Sequence, residues 1–593
     1  MPDTNLAEAI GWTPPAGWPA MSRDDIRDRL TAPGERFEME TIEIRGVPTR
    51  VWKNAPPNLR ALMMLARTYG EREFVIYEDE RVTYAGFHRA VAKLAHELRE
   101  RGVRKGDRVA LAMRNLPEWP VAFFAAVTIG AICVPLNAWW TGQELAYGLA
   151  DSGTKLLICD DERWERIAPH MGELPDLAHV FVSRAGTGTL KGPAEHLEAL
   201  IGAPATWSGL PDAEIPEEAI GPEDDATIFY TSGTTGHPKG ALGTHRNLVT
   251  NIFSSGYNAL VSVMRRGETP PEPTPKVGLT VIPLFHVTAC SAGLMGAVAA
   301  GNTQIYMRRW DPVKAFEIIE REKVSYTGGV PTIAWQLIEH PERVNYDLSS
   351  IEAIGYGGAP SAPELVRKIR DVFGALPGNG WGMTETSPAG TAYPENGPEK
   401  PGSVGVMLPG IEIDIVSLED PTKVLPVGES GELRIRGPNV TKGYWNKPKE
   451  TAESFVGDRF LTGDVGYMDT DGYFYLVDRK KDMIISGGFN VYPQMIEQAI
   501  HTHPSVQEVI VIGIPDDYRG ESAKAFITLR AGAQPFTIDD LRGFLAGKLG
   551  KHELPTALEF AAELPRTPVG KLSRHELRKQ QKSLQPTNVK NIA

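Results

Sequence analysis

Short apolar runs alternate with helical segments along much of this chain, and the alternation restricts the fold more than any other feature of the sequence. Residues 108–113 and 155–159 are apolar runs of strand length. Residues 87–101 carry apolar side chains at helical spacing, and residues 119–129 are predicted to form a second helix. Strands that alternate with helices form parallel sheets covered by helices on both faces. The sequence therefore predicts an α/β fold.

The alternation resumes after a proline-rich loop at residues 211–222. A strand is predicted at residues 226–230 and a helix at residues 312–322. Further strands are predicted at residues 277–282, 304–307, 326–328 and 351–355. The two stretches together predict one large α/β body.

The alternation of strands and helices gives way to short strands at about residue 402. Residues 402–477 form short strands with Asp-Gly and Pro-Gly turns, which are typical of antiparallel structure, and Asp471-Gly472 is the clearest hairpin. Beyond residues 478–482 the chain is predicted to form a small α+β unit. Its predicted helices are residues 493–501, 538–548 and 573–582, and its predicted strands are residues 508–512 and 523–529.

These patterns predict the domain organisation. A large N-terminal domain of parallel sheets flanked by helices, with a small antiparallel subdomain, is expected at residues 51–480. A small mobile α+β lid domain is expected at residues 481–593. Residues 1–50 show weak periodicity and are expected to form an N-terminal extension packed along the surface.

Composition and charge exclude several classes of protein. Acidic side chains outnumber basic ones, 75 to 62, and the net charge of −13 argues against nucleic acid as a partner. The three cysteines are too few and too far apart for a disulfide framework or a cysteine-rich zinc module. The N-terminus has no signal-peptide pattern, and the most apolar stretch, residues 120–136, is shorter than the ~20 residues of a membrane span. We therefore expect a cytoplasmic protein with no transmembrane segment.

A loop rich in glycine and threonine follows the predicted strand at residues 226–230. From Tyr230 to Gly240 it reads Tyr-Thr-Ser-Gly-Thr-Thr-Gly-His-Pro-Lys-Gly. Glycines let the backbone approach an anion closely, hydroxyls add donors, and Lys239 adds a positive charge. The loop lacks the Gly-Lys-Ser/Thr of a Walker A motif, and the turn at residues 355–360 lacks the third glycine of a dinucleotide fingerprint. The loop predicts a phosphate site of another kind, with a flexible linker as the alternative.

At this loop, and at further motifs that follow in the same order, the chain resembles the adenylate-forming superfamily. That family includes acyl-CoA synthetases, peptide-synthetase adenylation domains and firefly-type luciferases. The resemblance spans residues 59–572 and points to the branch of fatty- or aryl-acid CoA ligases. The residues that it implies for ATP and AMP binding are Thr231, Ser232, Gly233, Thr234, Thr235, Gly236, Lys239, Gly357, Gly358, Ala359, Pro360, Trp381, Gly382, Met383, Thr384, Asp464 and Arg479.

The resemblance also implies individual roles near the phosphates. Trp381 is implied to stack on adenine, and Thr384 to bind the α-phosphate as one of the catalytic residues. Glu385, also a catalytic candidate, is implied to hold Mg²⁺ between phosphates, since hard oxygen ligands suit this metal. Taken alone, the same block of sequence would be interpreted as a core tryptophan beside a surface glutamate.

A third group of motifs lies toward the C-terminus. By resemblance Asp464 accepts the ribose hydroxyls with Arg479 beside it, although an isolated Asp and Arg would suggest a surface ion pair. Lys481 corresponds to the hinge residue of the family. Lys571 corresponds to its catalytic lysine, which stabilises the charge of the pentavalent transition state. The residues implied to line the tunnel for coenzyme A are Ser486, Gly487 and Gly488.

The acyl pocket is predicted from a second set of positions. His286 matches the aromatic residue of the family that lines the acyl site, and a core histidine is the alternative. The other candidate pocket residues are Val287, Cys290, Val330, Gly355 and Tyr356. The candidate pocket positions include no Arg or Lys that could pair with a second carboxylate of the substrate. They also include no Asp that could bind an ammonium group. The sequence therefore favours a hydrophobic monocarboxylic acid over an amino acid.

The predicted chemistry has two steps and uses ATP, Mg²⁺ and coenzyme A. A carboxylate attacks the α-phosphate to give an acyl-adenylate, and the thiol of coenzyme A then displaces AMP, with the lid rotating between the steps. A medium- or long-chain fatty acid is the first choice of substrate. An aryl, arylalkanoic, alicyclic or steroid side-chain acid is the second. The expected partners are the small-molecule acid and coenzyme A, and a homodimer is left open.

Three other functions remain open on the sequence. An acyl-AMP ligase that loads a carrier protein is the main rival, although no carrier domain follows Lys571 within the sequence. A luciferase-like oxygenase would share the nucleotide motifs. A non-catalytic scaffold is disfavoured because Glu385, Asp464, Arg479 and Lys571 are all present.

Overall fold

A computed structural model describes residues 18–584, except 187, 189, 191, 232–236, 271, 273, 358–362, 394–399, 401, 517 and 568–570. The chain divides into two compact units. The first contains residues 18–357, 363–413 and 435–460 of the described chain, and the second contains residues 414–434 and 461–584.

The strands are numbered in chain order. They are β1 Met39–Ile44, β2 Val47–Trp52, β3 Glu73–Tyr77, β4 Glu80–Thr83, β5 Arg108–Ala112, β6 Ile132–Pro135, β7 Thr154–Asp160, β8 His179–Ser183, β9 Ala194–His196, β10 Asp225–Thr231, β11 Lys239–Thr244, β12 Val277–Thr280, β13 Thr303–Tyr306, β14 Tyr326–Gly329, β15 Ala353–Tyr356, β16 Leu376–Gly378, β17 Gly380–Trp381, β18 Thr391–Ala392, β19 Val406–Met407, β20 Glu412–Val416, β21 Gly431–Arg436, β22 Phe455–Val456, β23 Arg459–Met468, β24 Phe474–Arg479, β25 Ile484–Ser486, β26 Phe489–Val491, β27 Val506–Asp516, β28 Gly520–Leu529 and β29 Ala557–Phe560.

The α-helices are numbered in the same way. They are α1 Arg23–Leu30, α2 Leu59–Ala66, α3 Tyr84–Glu100, α4 Glu118–Thr128, α5 Gly142–Ser152, α6 Asp161–Ile167, α7 Leu197–Ile201, α8 His245–Arg265, α9 Gly296–Ala300, α10 Pro312–Glu322, α11 Pro331–Glu339, α12 Pro363–Phe373, α13 Pro448–Glu453, α14 Pro493–His501, α15 Ile538–Leu545 and α16 Arg574–Leu584. A π-helix, Thr288–Met295, precedes α9.

The first unit contains two seven-stranded sheets, as the alternating pattern predicts. One has the strand order β11-β10-β6-β5-β7-β8-β9 and is parallel except for β11, which is antiparallel to β10. Strand β5 is apolar and buried from Val109 to Ala112, as is typical of a parallel sheet covered by helices on both faces. Every residue of α4 is buried, which explains why that helix is apolar on all sides.

The second sheet of the first unit has the order β16-β15-β14-β12-β13-β3-β4. Its strands run parallel from β16 to β3, and only β4 is antiparallel. The loops that follow β12, β14, β15 and β16 therefore leave the sheet at one edge. The carboxyl edge of a parallel sheet is where ligands bind in open α/β folds.

The region predicted as an N-terminal extension contains ordered structure. Helix α1 and the antiparallel hairpin β1-β2 lie within residues 18–52, so β2 runs across the predicted boundary at residue 50. Phe37 and Trp52 are buried against Tyr257 of α8, with ring centroids 5.6–5.7 Å apart. Hydrophobic periodicity missed this region because the hairpin buries only a few aromatic side chains.

The second unit is built on two sheets. Strands β20, β21, β23 and β24 belong to a five-stranded sheet, in which β23 and β24 form the hairpin predicted at Asp471-Gly472. The other sheet has the order β26-β25-β28-β27, with β29 beside β28. Helices α14 and α15 pack on it through Ile496, Ile500 and Leu541, which form its core with Val511.

The predicted fold class is confirmed. Parallel sheets flanked by helices form the larger unit, and antiparallel strands dominate the smaller one. The domain boundary predicted at residue 480 stays a prediction. Among the described residues, no helix combines the length and the apolar character needed to cross a membrane.

Candidate active site

The predicted phosphate loop connects β10 to β11 at the edge of the first sheet. Thr231 and Lys239 are direct partners in the hairpin, so the two ends of the loop are fixed. Ser232, Gly233, Thr234, Thr235 and Gly236 lie outside the described residues. The base of the loop is held by Tyr230, whose hydroxyl donates to Asp151 at 2.8 Å, and Asp151 also pairs with Lys447 at 2.9 Å.

Lys239 lies close to an aromatic residue that the sequence analysis did not single out. Its ammonium nitrogen is 5.1 Å from the centroid of the Tyr444 ring, within the range of a cation–π contact. The hydroxyl of Tyr444 donates to Glu385 Oε1 at 2.7 Å. The structure thus joins Lys239 and Glu385, which come from two different sequence motifs, through one side chain.

Glu385 lies in a short 3₁₀-helix that includes Thr384. Its side chain is buried, with only 5% of the residue exposed, and the backbone N–H of Thr441 donates to the Glu385 carbonyl at 2.9 Å. A buried carboxylate must be hydrogen-bonded, and Tyr444 meets that requirement. The surface glutamate considered for this position is therefore not what the structure contains.

Trp381 opens the same motif in strand β17. The residue is 6% exposed, and its backbone N–H donates to the Thr391 hydroxyl at 3.2 Å. Its ring lies against Gly390, where a Cβ atom would be 2.6 Å from the indole. Gly382 is required for a similar reason, since a Cβ there would lie 1.5 Å from the Pro388 carbonyl oxygen. The stacking of Trp381 on adenine stays a prediction.

The nucleotide and acyl candidates share one edge of the second sheet. Gly357 follows β15, Val330 follows β14 and Trp381 comes shortly after β16. The backbone N–H of Gly357 donates to the Gly329 carbonyl at 3.1 Å. Gly358, Ala359 and Pro360 lie outside the described residues. The parallel register brings these positions together although they are far apart in sequence.

The predicted acyl-pocket residues differ in their burial. His286 is partly buried, and its Nδ1 accepts the backbone N–H of Thr288 at 3.3 Å. Val287 and Tyr356 are almost fully buried, whereas Val330 and Gly355 are partly exposed. Cys290 is completely buried in the core, and burial raises the pKa of its thiol well above the usual value.

The second unit brings together three predicted residues. Asp464 and Arg479 are direct partners in strands β23 and β24 and form an ion pair. Asp464 is only 4% exposed, so the pair is not confined to the surface. Burial and the nearby Arg479 guanidinium lower the pKa of Lys571 to about 8, and Asp464 acts in the opposite direction. The lysine therefore lies within electrostatic range of both residues.

The predicted hinge residue, Lys481, lies between two carboxylates that share a cation. Arg574 at the start of α16 pairs with Asp478 at 3.2 Å and Asp482 at 3.5 Å, and it also pairs with Glu497 of α14. Desolvation raises the pKa of both Asp478 and Glu497 despite the arginine. This buried cluster ties the residues on both sides of Lys481 to the last helix.

The predicted tunnel residues form the tight turn between β25 and β26. Gly487 and Gly488 have φ angles of +59° and +84°, which side chains rarely adopt and which match a two-residue hairpin turn. Apart from adjacent residues of the chain, no atom of the described residues lies within 4 Å of where their Cβ atoms would be. Ser486 is buried, and Phe489 beyond the turn is 57% exposed. The turn alone explains both glycines, so the tunnel stays a prediction.

Tyr444 is the residue that the sequence analysis missed. It lies in the segment Lys442-Gly-Tyr-Trp-Asn-Lys447, whose aromatic pair flanked by lysines was a usable signal. The segment pairs with β11 through Leu242 N–H to the Gly443 carbonyl at 3.0 Å. No cluster of three or more metal-binding side chains occurs within the described part of the chain. A metal held by Glu385 would need other ligands, which is how Mg²⁺ binds together with phosphates.

Comparisons with known proteins match this arrangement. The model of the AMP-binding enzyme family matches residues 64–445, and that of the AMP-binding enzyme C-terminal domain matches residues 495–571. A long-chain-fatty-acid–CoA ligase of Bacillus subtilis (strain 168) is 35% identical over 529 residues, which are 86% of this chain and 92% of that protein. A feruloyl-CoA synthase of Amycolatopsis sp is 36% identical over 499 residues, which are 84% of this chain and 94% of that protein.

A solved structure shows the same fold. The crystal structure of the anthranilate CoA ligase AuaEII in complex with anthranoyl-AMP superposes with a TM-score of 0.79 and 26% sequence identity. The match covers 89% of this chain and 98% of that chain.

Proposed function

The chain belongs to the AMP-binding enzyme family, in its acyl-CoA synthetase branch, and on that premise we propose which acid it activates and how its residues act. The proposed reaction joins a hydrophobic monocarboxylic acid to coenzyme A and converts ATP to AMP and pyrophosphate. A medium- or long-chain fatty acid is the first choice of substrate, and an aryl, arylalkanoic, alicyclic or steroid side-chain acid is the second.

The grouping of Lys571 with Asp464 and Arg479 is the observation that carries the proposal. Asp464 is the candidate ribose ligand, and Lys571 comes from a distant loop of the same unit. A lysine whose pKa is lowered to about 8 remains mostly charged at neutral pH. A cation in reach of the ribose carboxylate is suited to stabilise charge at the α-phosphate.

In the first half-reaction, a carboxylate oxygen of the acid attacks the α-phosphorus of ATP and the bond to pyrophosphate breaks. We assign Lys571 to the developing charge on the α-phosphate and Thr384 to a hydrogen bond with the same group. We assign Glu385 to hold Mg²⁺, which, when bound, would neutralise phosphate charge. The β- and γ-phosphates are assigned to the loop that ends at Lys239.

In the second half-reaction, the thiolate of coenzyme A attacks the acyl carbonyl and AMP leaves. We assign Ser486, Gly487 and Gly488 to the passage of the pantetheine arm, because a turn without side chains leaves room for a thin ligand. The family resemblance implies that the lid rotates about Lys481 between the half-reactions. The cluster around Arg574 is suited to hold the lid rigid during that rotation, since it ties the last helix to the hinge.

The choice of a hydrophobic acid is supported by the residues of the acyl region. Val287, Cys290 and Tyr356 are apolar or neutral and buried. The relatives include both a fatty-acid ligase and a feruloyl-CoA synthase, so the names alone favour neither class. His286 is the polar residue of this set, and in the proposed pocket it lies beside the carboxylate.

The experiment that tests the proposal measures AMP release from ATP and Mg²⁺ across a panel of acids, with and without coenzyme A. The panel spans acetate to palmitate and adds benzoate, phenylacetate, ferulate, a 2-arylpropionate and a steroid acid. AMP release that depends on coenzyme A and peaks for an apolar acid is the expected result. Adenylate formation, measured as ATP–pyrophosphate exchange, without AMP release in the presence of coenzyme A would instead indicate a carrier-protein ligase. The absence of both pyrophosphate exchange and AMP release with every acid would overturn the proposal.

A further inference from the structure

The contacts of Tyr444 link the two charged groups at the phosphate end of the first unit. Its ring face lies 5.1 Å from the Lys239 ammonium nitrogen, and its hydroxyl donates to Glu385 Oε1 at 2.7 Å. Lys239 ends the phosphate loop, whereas Glu385 lies in a separate motif. Tyr444 therefore contacts both charged groups directly.

The position of Tyr444 is itself fixed by its backbone. Its N–H donates to the Thr451 hydroxyl at 2.9 Å, and the residue forms a β-bridge with Ala241 of β11. The neighbouring Trp445 N–H donates to the Gly240 carbonyl at 2.8 Å. The phenol is thus carried on a segment bonded to the strand that begins at Lys239.

The same segment also holds the other end of the phosphate loop. Lys447 pairs with Asp151, and Asp151 accepts the hydroxyl hydrogen of Tyr230, the residue at the start of the loop. Both ends of the loop and the Glu385 carboxylate therefore depend on residues 444–447. Groups that must meet one polyphosphate need a fixed spacing, and this segment provides it.

We propose that Tyr444 is a positioning residue that sets the distance between the Glu385 carboxylate and the Lys239 ammonium group and orients Glu385 for Mg²⁺·ATP. Its hydroxyl fixes one carboxylate oxygen, so the rotamer of Glu385 no longer varies. Partners that orient a metal-binding carboxylate typically change metal affinity by about 10–100-fold when they are removed. This inference rests on the proposed function only in that it requires binding of ATP.

The test compares Tyr444→Phe with the wild-type enzyme by calorimetric titration of ATP, with Mg²⁺ and with EDTA, in the absence of any acid. The phenylalanine keeps the ring beside Lys239 but removes the hydroxyl from Glu385. We expect the Kd for Mg²⁺·ATP to rise about tenfold, while the Kd for metal-free ATP changes less than about twofold. The Mg²⁺ concentration that gives half-maximal pyrophosphate exchange should rise in parallel.

Three further variants separate positioning from general damage. Tyr69→Phe is the matched control, because Tyr69 also donates a 2.7 Å hydrogen bond, to the Ala299 carbonyl, but lies outside the site. Glu385→Gln is the background variant: if Tyr444 acts through Glu385, adding Tyr444→Phe to it should weaken Mg²⁺·ATP binding no further. Tyr444→Leu removes the ring as well and should also weaken the binding of metal-free ATP.

The outcomes distinguish the two proposals. If Tyr444→Phe weakens ATP binding equally with and without Mg²⁺, the positioning role is overturned. An effect on binding that persists in the Glu385→Gln background would also overturn it. If Tyr444→Phe lowers the Tm sharply, Tyr444→His, which keeps a ring and an N–H donor, takes its place, and failure to restore Mg²⁺ affinity would count against the role. Wild-type enzyme that binds Mg²⁺·ATP but activates no acid would contradict the proposed function alone.

Discussion

Two loops of the second unit are assigned to the two half-reactions, and they differ in almost every physical property. The Lys571 loop, described at residues 564–567 and 571–573, has a partly buried cation whose pKa is about 8. The turn at Gly487 and Gly488 is exposed and uncharged, and it has open space where side chains would project. A group that stabilises charge must be held among other charges, whereas a passage for a thin ligand needs only an absence of bulk.

The difference leads to separable effects, and the largest is expected for Lys571→Ala. Removing one group that stabilises transition-state charge typically costs about 10²–10³-fold in rate. We expect that loss in ATP–pyrophosphate exchange, with little change in thioester formation from supplied acyl-adenylate. Lys551→Ala, at an exposed lysine of the same unit, is the control. An equal loss in both half-reactions would contradict the assignment.

The ion-pair cluster around Arg574, which follows the Lys571 loop in the chain, provides the second prediction. Arg574→Met removes the cation from Asp478, whose side chain is fully buried, and from Glu497, whose side chain is 17% exposed. Leaving buried charges unpaired should lower the free energy of unfolding of the second unit by about 2–4 kcal/mol. Hydrogen exchange of helix α14 in the full-length chain measures this change.

The control for Arg574 is a neighbouring arginine of the same helix. Arg578 pairs only with Asp482 in this cluster, and 31% of its side chain is exposed. Arg578→Met should therefore cost less than about 1 kcal/mol. Comparable destabilisation by both variants would mean that burial of the cluster does not decide its contribution.

The glycine turn provides the third prediction, in which shape alone is changed. Gly488→Trp should reduce thioester formation by about tenfold or more, because the indole occupies the proposed passage, and should leave pyrophosphate exchange unchanged. Gly532 is a matched control, since its φ of +80° and open surroundings resemble those of Gly488 at +84°. If Gly532→Trp impairs the thioester step equally, backbone strain and not blockage is the cause.

The smallest effect expected is a pH dependence confined to the first half-reaction. Lys571 is charged below its pKa of about 8, so pyrophosphate exchange should fall by about half at pH 8 and by about tenfold per unit above it. Lys571→Arg keeps its charge and should move this decline to higher pH. The decline should be absent from the thioester step, and its presence there would contradict the separation of the two loops.

The sequence predicted the positions of helices and strands better than it predicted which elements pack against one another. Helix α10 was predicted at residues 312–322 and found there, because Asp311 caps its N-terminus and Pro312 starts its first turn. Strand β15 starts at Ala353, two residues later than predicted. The helix and hairpin of residues 18–52 escaped prediction because their burial depends on aromatic contacts with the distant helix α8.

The candidate site shows the same difference between features marked by local sequence and features that depend on long-range contacts. Lys239, Glu385, Asp464 and Lys571 were predicted from motifs, because the neighbouring residues in the sequence mark each position locally. Tyr444 was missed, because its role appears only through Glu385, which lies 59 residues away. Trp381 is buried, as in the core tryptophan considered as the alternative, but the sequence did not show that Gly390 and the strand pairing of Trp381 enclose the ring.

By itself the sequence determined the fold class, the family and the residue types available for adenylate chemistry, because periodicity and short motifs are local properties of the chain. Only the tertiary structure decided which of these residues act on one another. Strand pairing joined Asp464 to Arg479, and the bonding of residues 440–445 along β11 joined Tyr444 to Glu385 and Lys239. Such contacts depend on sheet register and on how chain segments pack, and these are set by the burial of the whole core and not by any local stretch of sequence.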